Sequence, residues 1–225
     1  MIRAPLEVQR RQERNRAIKV SIAFLFGFLI VTEQVLTKSY LYRLDHEITK
    51  IKHHTFRGIS SHILLGIDDL GLRSLTATCL LVTAVLISYR FKSWRPINLS
   101  LAALILLNGI VGVSKMIFGR SKPRLHFDTV HSGVIGSYPS GHSANALLTW
   151  GMLAYLIYRY TNFGSTRLGY LYSAVGAVTT SVCLVSLLRN THWFSDLIGG
   201  AFLGGAILVL LVALDRAWPS QRQLS

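Results

Sequence analysis

Long apolar stretches separated by short polar links make up most of this chain of 225 residues. A helix needs about 20 residues to cross a bilayer, and six stretches reach or approach that length. They run approximately over Val20–Leu36, Leu72–Tyr89, Ile97–Phe118, His142–Tyr160, Leu168–Leu188 and Trp193–Leu214. The pattern predicts an all-α, polytopic membrane protein whose fold is a six-transmembrane-helix bundle.

The longest link, Tyr40–Gly71, has a pattern of its own. Apolar residues recur there at near-helical spacing, namely Ile48, Ile51, Phe56, Ile59, Ile63 and Leu64. This spacing predicts an amphipathic helix on the membrane surface. We therefore expect a basic arm over residues 1–19, a six-span domain over 20–218 that includes the amphipathic segment at about 40–71, and a tail over 219–225.

Composition and charge narrow the class of protein. Charged residues make up 15% of the chain, against about 25% in an ordinary soluble domain. A net charge of +14 fits either a nucleic-acid-binding protein or a membrane protein that faces anionic lipid. The apolar stretches favour the membrane, so no nucleic-acid partner is expected. Cys79 and Cys183 lie within apolar stretches and indicate no disulfide framework.

The distribution of positive charge predicts the orientation. The basic arm Met1–Lys19 should be cytoplasmic, and an even number of spans places the C-terminus on the same side. The link Tyr40–Gly71 then lies outside. Five cations depart from this bias by falling at the outer ends of spans: Lys115, Arg120, Lys122, Arg124 and Arg189. An anionic ligand bound at the outer face would account for them.

The first of three polar groups follows the third apolar stretch. Residues seven apart lie on nearly the same helical face, so Lys115 and Lys122 are predicted to point the same way. Pro123 then discourages further helix. Converging cations suit a phosphate, whose oxygens need several donors, although lysines that extend to lipid headgroups would give the same pattern.

The second group precedes the fourth stretch. Ser140 is a favourable N-cap, and Gly141 allows a ligand to approach the backbone closely. The unpaired N–H groups at a helix start bind anions, and His142 is suited to hand a proton to a leaving oxygen. The alternative is an ordinary capped helix with an incidental histidine.

The third group lies between the fifth and sixth stretches. His192 and Asp196 are one helical turn apart, so the carboxylate is predicted to hold one imidazole nitrogen. The other nitrogen then becomes a better nucleophile or base. An interfacial histidine beside a helix-capping aspartate is the alternative. All three groups fall on one predicted membrane face, which favours a shared site.

Together these segments resemble the motifs of the type 2 phosphatidic acid phosphatase superfamily, which are Lys-x6-Arg-Pro, Pro-Ser-Gly-His and Ser-Arg-x5-His-x3-Asp. The likeness covers roughly Leu72–Leu214. Lys122 stands where the family has an arginine, which keeps the charge but loses the planar fork. In the third motif the arginine position holds Ser186 and the serine position holds Val185. Arg189, Arg120 and Arg124 are candidates to replace the missing arginine.

The resemblance implies a two-step phosphatase mechanism that uses no metal and no cofactor. His192 attacks phosphorus to form a phosphohistidine, Asp196 orients it, and His142 protonates the departing lipid oxygen. The implied phosphate ligands are Lys115, Lys122, Ser140, Gly141 and Arg189. Water then releases inorganic phosphate, and preorganised donors supply most of the catalysis.

The expected partners are a lipid phosphate and the bilayer itself. Phosphatidylglycerol phosphate, a polyprenyl pyrophosphate, phosphatidic acid and a lipid A phosphate all fit the pattern, and the oligomeric state stays open. We expect a bacterial inner-membrane protein with its active site on the periplasmic face. Alternatives are a lipid-to-lipid phosphotransferase, a haloperoxidase, which six spans argue against, and a non-catalytic protein that binds anionic lipid.

Three further groups of residues outside the motifs carry predictions. Asp45, His46 and the other polar residues of the outer link show no familiar metal-ligand spacing, so we expect them to be solvated or to face headgroups. Asp68 and Asp69 are predicted to cap the second span. The sixth span carries Gly199, Gly200, Gly204 and Gly205. Their spacing predicts close helix packing.

Overall fold

The computed structural model describes residues 3–50, 59–123, 136–161 and 168–217. The described part of the chain is helical and has no strand. Its helices are α1 (Arg3–Leu36), α2 (Tyr40–Lys50), α3 (Ile59–Asp69), α4 (Arg73–Phe91), α5 (Arg95–Phe118), α6 (Gly141–Tyr160), α7 (Leu168–Leu188) and α8 (Phe194–Ala217).

Each predicted span corresponds to a helix, which confirms an all-helical membrane protein. Five of these helices are long and apolar enough to cross a bilayer: α1 from Arg11, α4, α5, α7 and α8. The helix predicted as the fourth span, α6, has 20 residues, but it is less apolar. It packs against α4, α5, α7 and α8, so few of its side chains need to face lipid. The count of six spans stays a prediction.

The segments around the first span differ in detail from the prediction. Helix α1 begins at Arg3, within the predicted basic arm, and continues into the first span. The predicted amphipathic segment contains two short helices, α2 and α3, while Ile51 and Phe56 lie outside the described residues. Both helices rest on the bundle, since α2 contacts α1 and α8 and α3 contacts α7.

Helix α8 is the centre of the packing and makes close contact with α6. A Cβ atom built on Gly200 would lie 2.3 Å from the Ser140 carbonyl oxygen, and one on Gly204 would lie 2.7 Å from that of Ala144. Only glycine permits these approaches, so the close packing predicted for the glycines of the sixth span is confirmed. The first turn of α6 is thereby held against the first turns of α8.

Asp215 joins three helices at the end of the bundle that lies away from the first turn of α6. Its carboxylate accepts from Arg95 Nε at 2.5 Å, Arg159 Nε at 2.9 Å and the Tyr155 hydroxyl at 2.6 Å. These partners belong to α5 and α6, while Asp215 belongs to α8. A buried carboxylate with two guanidinium partners and a hydroxyl donor has its charge and lone pairs satisfied.

Candidate active site

All of the described motif residues lie at one end of the bundle. Helix α5 ends at Phe118 and is capped by Gly119, whose φ of 47° is left-handed and suits glycine. The charges of Lys115, Lys122 and Asp68 and the ring of His192 lie close enough to His142 to interact with it electrostatically. The structure therefore brings the three motif segments together. Arg124 lies outside the described residues.

His192 and Asp196 make the contact predicted from their spacing. The His192 Nδ1 atom lies 3.3 Å from Asp196 Oδ2, and both side chains are buried. The same oxygen accepts the Trp193 backbone N–H at 3.2 Å. An ionised carboxylate only accepts hydrogen bonds, so Nδ1 must carry the proton and Nε2 keeps its lone pair. This arrangement leaves Nε2 as the ring nitrogen with a lone pair available to a ligand.

Arg120 holds the other oxygen of Asp196. Its guanidinium is fully buried and donates to Asp196 Oδ1 at 3.3 Å and to Ser195 Oγ at 2.7 Å. It also stacks over the Trp193 ring, 4.6 Å from the centroid. Because Arg120 is engaged by these groups, it does not offer a guanidinium for substrate in place of the missing motif arginine.

Asp45 completes this buried network, contrary to the prediction that it is solvated. Its Oδ2 atom lies 2.9 Å from Arg120 Nη2, and its two oxygens accept the Ser195 backbone N–H at 2.9 Å and hydroxyl at 2.6 Å. Burial raises the pKa of Asp45, and the Arg120 guanidinium opposes that rise. The neighbouring His46 is not exposed either, because its ring stacks on Trp193 at 5.1 Å.

The first turn of α6 presents free backbone donors. Ser140 is the N-cap, as predicted, and its hydroxyl oxygen accepts the Ser143 N–H at 3.4 Å. The Ser140 N–H donates to the Asp196 carbonyl oxygen at 2.9 Å. Among the described residues, none accepts from the N–H groups of Gly141 or His142. Two unpaired N–H groups at a helix start form an anion site.

Gly141 has no packing reason to be glycine. A Cβ atom there would come no closer than 4.0 Å to Val111, which is an ordinary contact. Gly71, by contrast, presses on the same turn, where a Cβ would lie 3.0 Å from the His142 carbonyl oxygen. The link before α4 therefore fixes His142 in place, and its ring centre lies 6.0 Å from that of His192. That separation allows one phosphate to contact both rings.

Two loops between helices frame the site and are tied to each other. The Ser121 carbonyl oxygen accepts from the Trp193 indole N–H at 2.8 Å and from the Ser137 hydroxyl at 3.0 Å. Tyr138 is buried, and its hydroxyl shares a hydrogen bond of 2.7 Å with Thr32 on α1. Burial raises the pKa of Tyr138, so its hydroxyl stays neutral. Lys122 is half-buried beside these contacts.

Asp68 pairs with Arg189, so the prediction that it caps the second span is wrong. The N-cap of α4 is Leu72, and no side chain caps that helix. Asp68 Oδ2 accepts from Arg189 Nη1, and Oδ1 accepts from the Ser186 hydroxyl at 3.2 Å. Asp68 and Ser186 are buried, whereas the Arg189 side chain stays 30% exposed. Arg189 is thus held by Asp68, and part of its side chain stays exposed.

Comparison with known proteins places the chain in a family. The sequence profile of the PAP2 superfamily matches residues 96–219. Phosphatidylglycerophosphatase B of Bacillus subtilis (strain 168) is 23% identical over 202 residues, which cover 88% of this chain and 97% of that protein. Lipid A 1-phosphatase of Porphyromonas gingivalis (strain ATCC 33277) is 32% identical over 117 residues, 51% of this chain but 23% of that protein.

The fold also matches a solved structure. The crystal structure described as the first transmembrane PAP2-type phosphatidylglycerolphosphate phosphatase, from Bacillus subtilis, superposes with a TM-score of 0.78 at 21% identity. The match covers 90% of this chain and 98% of that one. The structural likeness shows that the two proteins share the helical fold. The match to the family profile, which includes the polar segments at the candidate site, shows the family. The chain belongs to the PAP2 superfamily.

Proposed function

We propose that this protein is an integral membrane phosphatase that removes phosphate from a lipid through a phosphohistidine on His192, without a metal ion. The family and its relatives, one a phosphatidylglycerophosphatase and the other a lipid A 1-phosphatase, support a lipid phosphate hydrolase. One observation carries the mechanism: Asp196 is held by Arg120 on one oxygen and binds His192 Nδ1 with the other. Nε2 is thereby left as the attacking atom.

The first chemical step transfers the phosphoryl group to His192. Nε2 attacks phosphorus, the bond from phosphorus to the lipid oxygen breaks, and protonated His142 gives its proton to that oxygen. Asp196 stabilises the positive charge that develops on the His192 ring, because Arg120 keeps the carboxylate in place without taking both of its oxygens. Fixed groups of this kind lose no energy to reorganisation during the reaction.

The second step returns the enzyme to its starting state. Neutral His142 accepts a proton from water as the water oxygen attacks the phosphohistidine. The bond between phosphorus and Nε2 breaks, and inorganic phosphate leaves. His142 is protonated again, so both histidines regain their original forms. His142 acts first as an acid and then as a base because water attacks from the position that the lipid oxygen has left.

The phosphate oxygens would be held by the N–H groups of Gly141 and His142, by Lys115 and Lys122, and by the Ser140 hydroxyl. Arg189 would take the place of the arginine that is missing at Ser186. Asp68 supports this assignment, because it holds the Arg189 guanidinium and accepts from Ser186 at the vacated position. Several donors converging on one phosphoryl group are what its transition state requires.

The proposed orientation places this site at the outer face of a bacterial inner membrane, with both termini in the cytoplasm. Its support is the basic arm on α1 and the basic residues at the end of the bundle opposite the site, Arg90, Lys92, Arg159 and Arg216. A six-span bundle, with α6 as the fourth span, is part of this proposal. The lipid would enter sideways from the bilayer.

The test is phosphate release by purified protein in detergent, with EDTA present throughout. The panel consists of phosphatidylglycerol phosphate, phosphatidic acid, a polyprenyl pyrophosphate and a lipid A phosphate. We expect release from at least one lipid, unaffected by EDTA and absent in His192→Ala. Loss of activity in EDTA would contradict the metal-free mechanism. Release that persists in His192→Ala, or phosphate moved only to an acceptor lipid, would contradict hydrolysis by this residue.

A further inference from the structure

A cavity lies at the end of the bundle opposite the candidate active site, where α4 passes into α5. Its volume is about 600 Å³, and its lining includes Ser88, Arg90, Lys92, Trp94 and Ile97. Helix α5 has 24 residues, so at about 1.5 Å per residue its ends lie about 36 Å apart. The cavity is therefore independent of the phosphatase site and of the function proposed for it.

The chemistry of the lining favours an anion. Ser88 is only 8% exposed, and its hydroxyl oxygen has no hydrogen-bond partner among the described residues. A buried hydroxyl without a partner is costly, and a ligand that accepts from it removes that cost. Arg90 and Lys92 are exposed beside it, and no carboxylate of the described residues pairs with either of them. Two cations and a residue with an unused buried donor thus line the same space.

The start of α5 adds to this positive environment. Trp94 is the N-cap residue but supplies no side-chain hydrogen bond, and Pro96 has no N–H group to satisfy. Among the described residues, none accepts from the N–H of Ile97, which lines the cavity. The positive end of the helix dipole therefore points at the space between the two cations.

The walls of the cavity favour a lipid over a free anion. Val85 and Ile97 are apolar lining residues, and the α4 surface next to them exposes Val82 at 53%, Val85 at 51% and Leu86 at 64%. Tyr89 and Trp94 flank the opening and are exposed at 86% and 75%. Exposed aromatic rings beside apolar helix surface are typical of the boundary between headgroups and acyl chains.

We propose that this cavity binds an anionic phospholipid by its phosphate. The phosphate would accept from Ser88, Arg90, Lys92 and the Ile97 N–H, and the acyl chains would run along the exposed apolar face of α4. The cavity is large enough for a headgroup and glycerol, while whole acyl chains extend beyond it. A resident lipid of this kind would fix the turn between α4 and α5 to the membrane leaflet at that end of the bundle.

The experiment is native mass spectrometry of delipidated protein in detergent, titrated with phosphatidylglycerol or with phosphatidylcholine of the same acyl chains. We expect a tight first binding event for phosphatidylglycerol only. Arg90→Gln/Lys92→Gln should raise its apparent Kd by about tenfold, and Ser88→Ala by about threefold. Inorganic phosphate at the same concentrations should not displace the lipid.

Matched controls separate this cavity from general attraction to a basic protein. Arg14→Gln/Arg16→Gln removes two exposed cations of α1, and Ser100→Ala removes another buried hydroxyl without a partner; both should bind as wild type does. Thermal unfolding of every variant verifies the fold. Equal loss in the control pair, wild-type binding by the Arg90/Lys92 variant, equal affinity for phosphatidylcholine, or displacement by phosphate would each overturn the proposal.

Discussion

At the scale of single residues, the arginines at the candidate site differ in how many carboxylates they pair with and in how exposed they are. Arg120 is fully buried between two carboxylates, so it serves Asp196 and Asp45 instead of the substrate. Arg189 has one carboxylate partner, Asp68, and keeps part of its surface open. The two arginines therefore differ: Arg120 is engaged by Asp196 and Asp45, and Arg189 is the one that we propose to bind phosphate.

Arg120→Lys should lower kcat about a hundredfold with little change in KM, because a lysine cannot reach Asp45, Ser195 and Asp196 together and the imidazole loses its fixed position. Arg120→Ala should in addition lower the free energy of unfolding by about 3–5 kcal/mol, since it leaves buried carboxylates without a cation. Phosphate release and thermal unfolding measure these effects. Arg43→Lys, exposed on α2, is the control; wild-type kcat in Arg120→Lys would contradict the positioning role.

Arg189→Ala should lower kcat/KM by about ten- to a hundredfold, the loss expected for one charge-assisted contact to phosphate. Asp68→Asn should change kcat/KM in the same direction but less, because it only frees the guanidinium. Adding Ser186→Arg to Arg189→Ala should restore activity in part. The control is Arg43→Ala, an exposed arginine on α2. Unchanged kinetics in Arg189→Ala would rule out its role as phosphate ligand.

The sequence predicts contacts between residues that are close along the chain and misses those between distant ones. The His192–Asp196 contact and the Ser140 cap follow from helical spacing. Asp68 lies 121 residues from Arg189, and no periodicity connects them. Asp45 is predicted to be solvated or to face headgroups because its link shows no familiar metal-ligand spacing, yet tertiary packing buries it. An acidic residue in a link on the same predicted membrane face as the basic motif residues was the available signal.

At the scale of helices, the site depends on how closely α6 and α8 approach. The Ser140 carbonyl oxygen faces Gly200, and the Ser140 N–H donates to the Asp196 carbonyl. These two contacts set the distance between the helix that carries His142 and the helix start next to His192. The glycine spacing predicted this packing, but it gave no indication that the contact passes through the N-cap of α6.

Gly200→Ala should lower the free energy of unfolding by about 1–3 kcal/mol, because the new methyl group meets backbone that cannot move aside. Phosphate release should fall with it, since displacing Ser140 also displaces His142. Gly176→Ala on α7 is the matched control, because nothing lies within 4 Å of the added atom. That control should be neutral or stabilising by up to about 1 kcal/mol. An unchanged free energy of unfolding in Gly200→Ala would show that α6 and α8 tolerate a wider separation.

At the scale of the whole molecule, the two ends of the bundle hold different groups of buried charges. One end gathers the residues of the candidate active site, and the other joins α5, α6 and α8 through Asp215. The six apolar stretches predicted the helices, but the helix order and spacing did not show how the ends are tied. The ends of the helices are joined by single buried charged residues, and a hydropathy pattern does not identify their partners.

Asp215→Ala should lower the free energy of unfolding by about 3–5 kcal/mol, because it leaves two guanidinium groups and a tyrosine hydroxyl without their acceptor. The kcat of the folded protein should not change, since Asp215 is about 28 Å from Asp196 along α8. Glu47→Gln breaks an exposed pair with Lys50 and should cost less than about 1 kcal/mol. A selective fall in kcat in Asp215→Ala would contradict this division between the two ends.

The central claim is that His192 becomes covalently phosphorylated, and the stereochemistry at phosphorus tests it most directly. A thiophosphate analogue of the substrate, made chiral at phosphorus with one heavy oxygen isotope, is hydrolysed with EDTA present in water that carries the third oxygen isotope, and the configuration of the released thiophosphate is determined. Each in-line displacement inverts phosphorus, so transfer to His192 followed by transfer to water predicts overall retention. Net inversion would show that water attacks the lipid phosphate directly, and it would contradict the account.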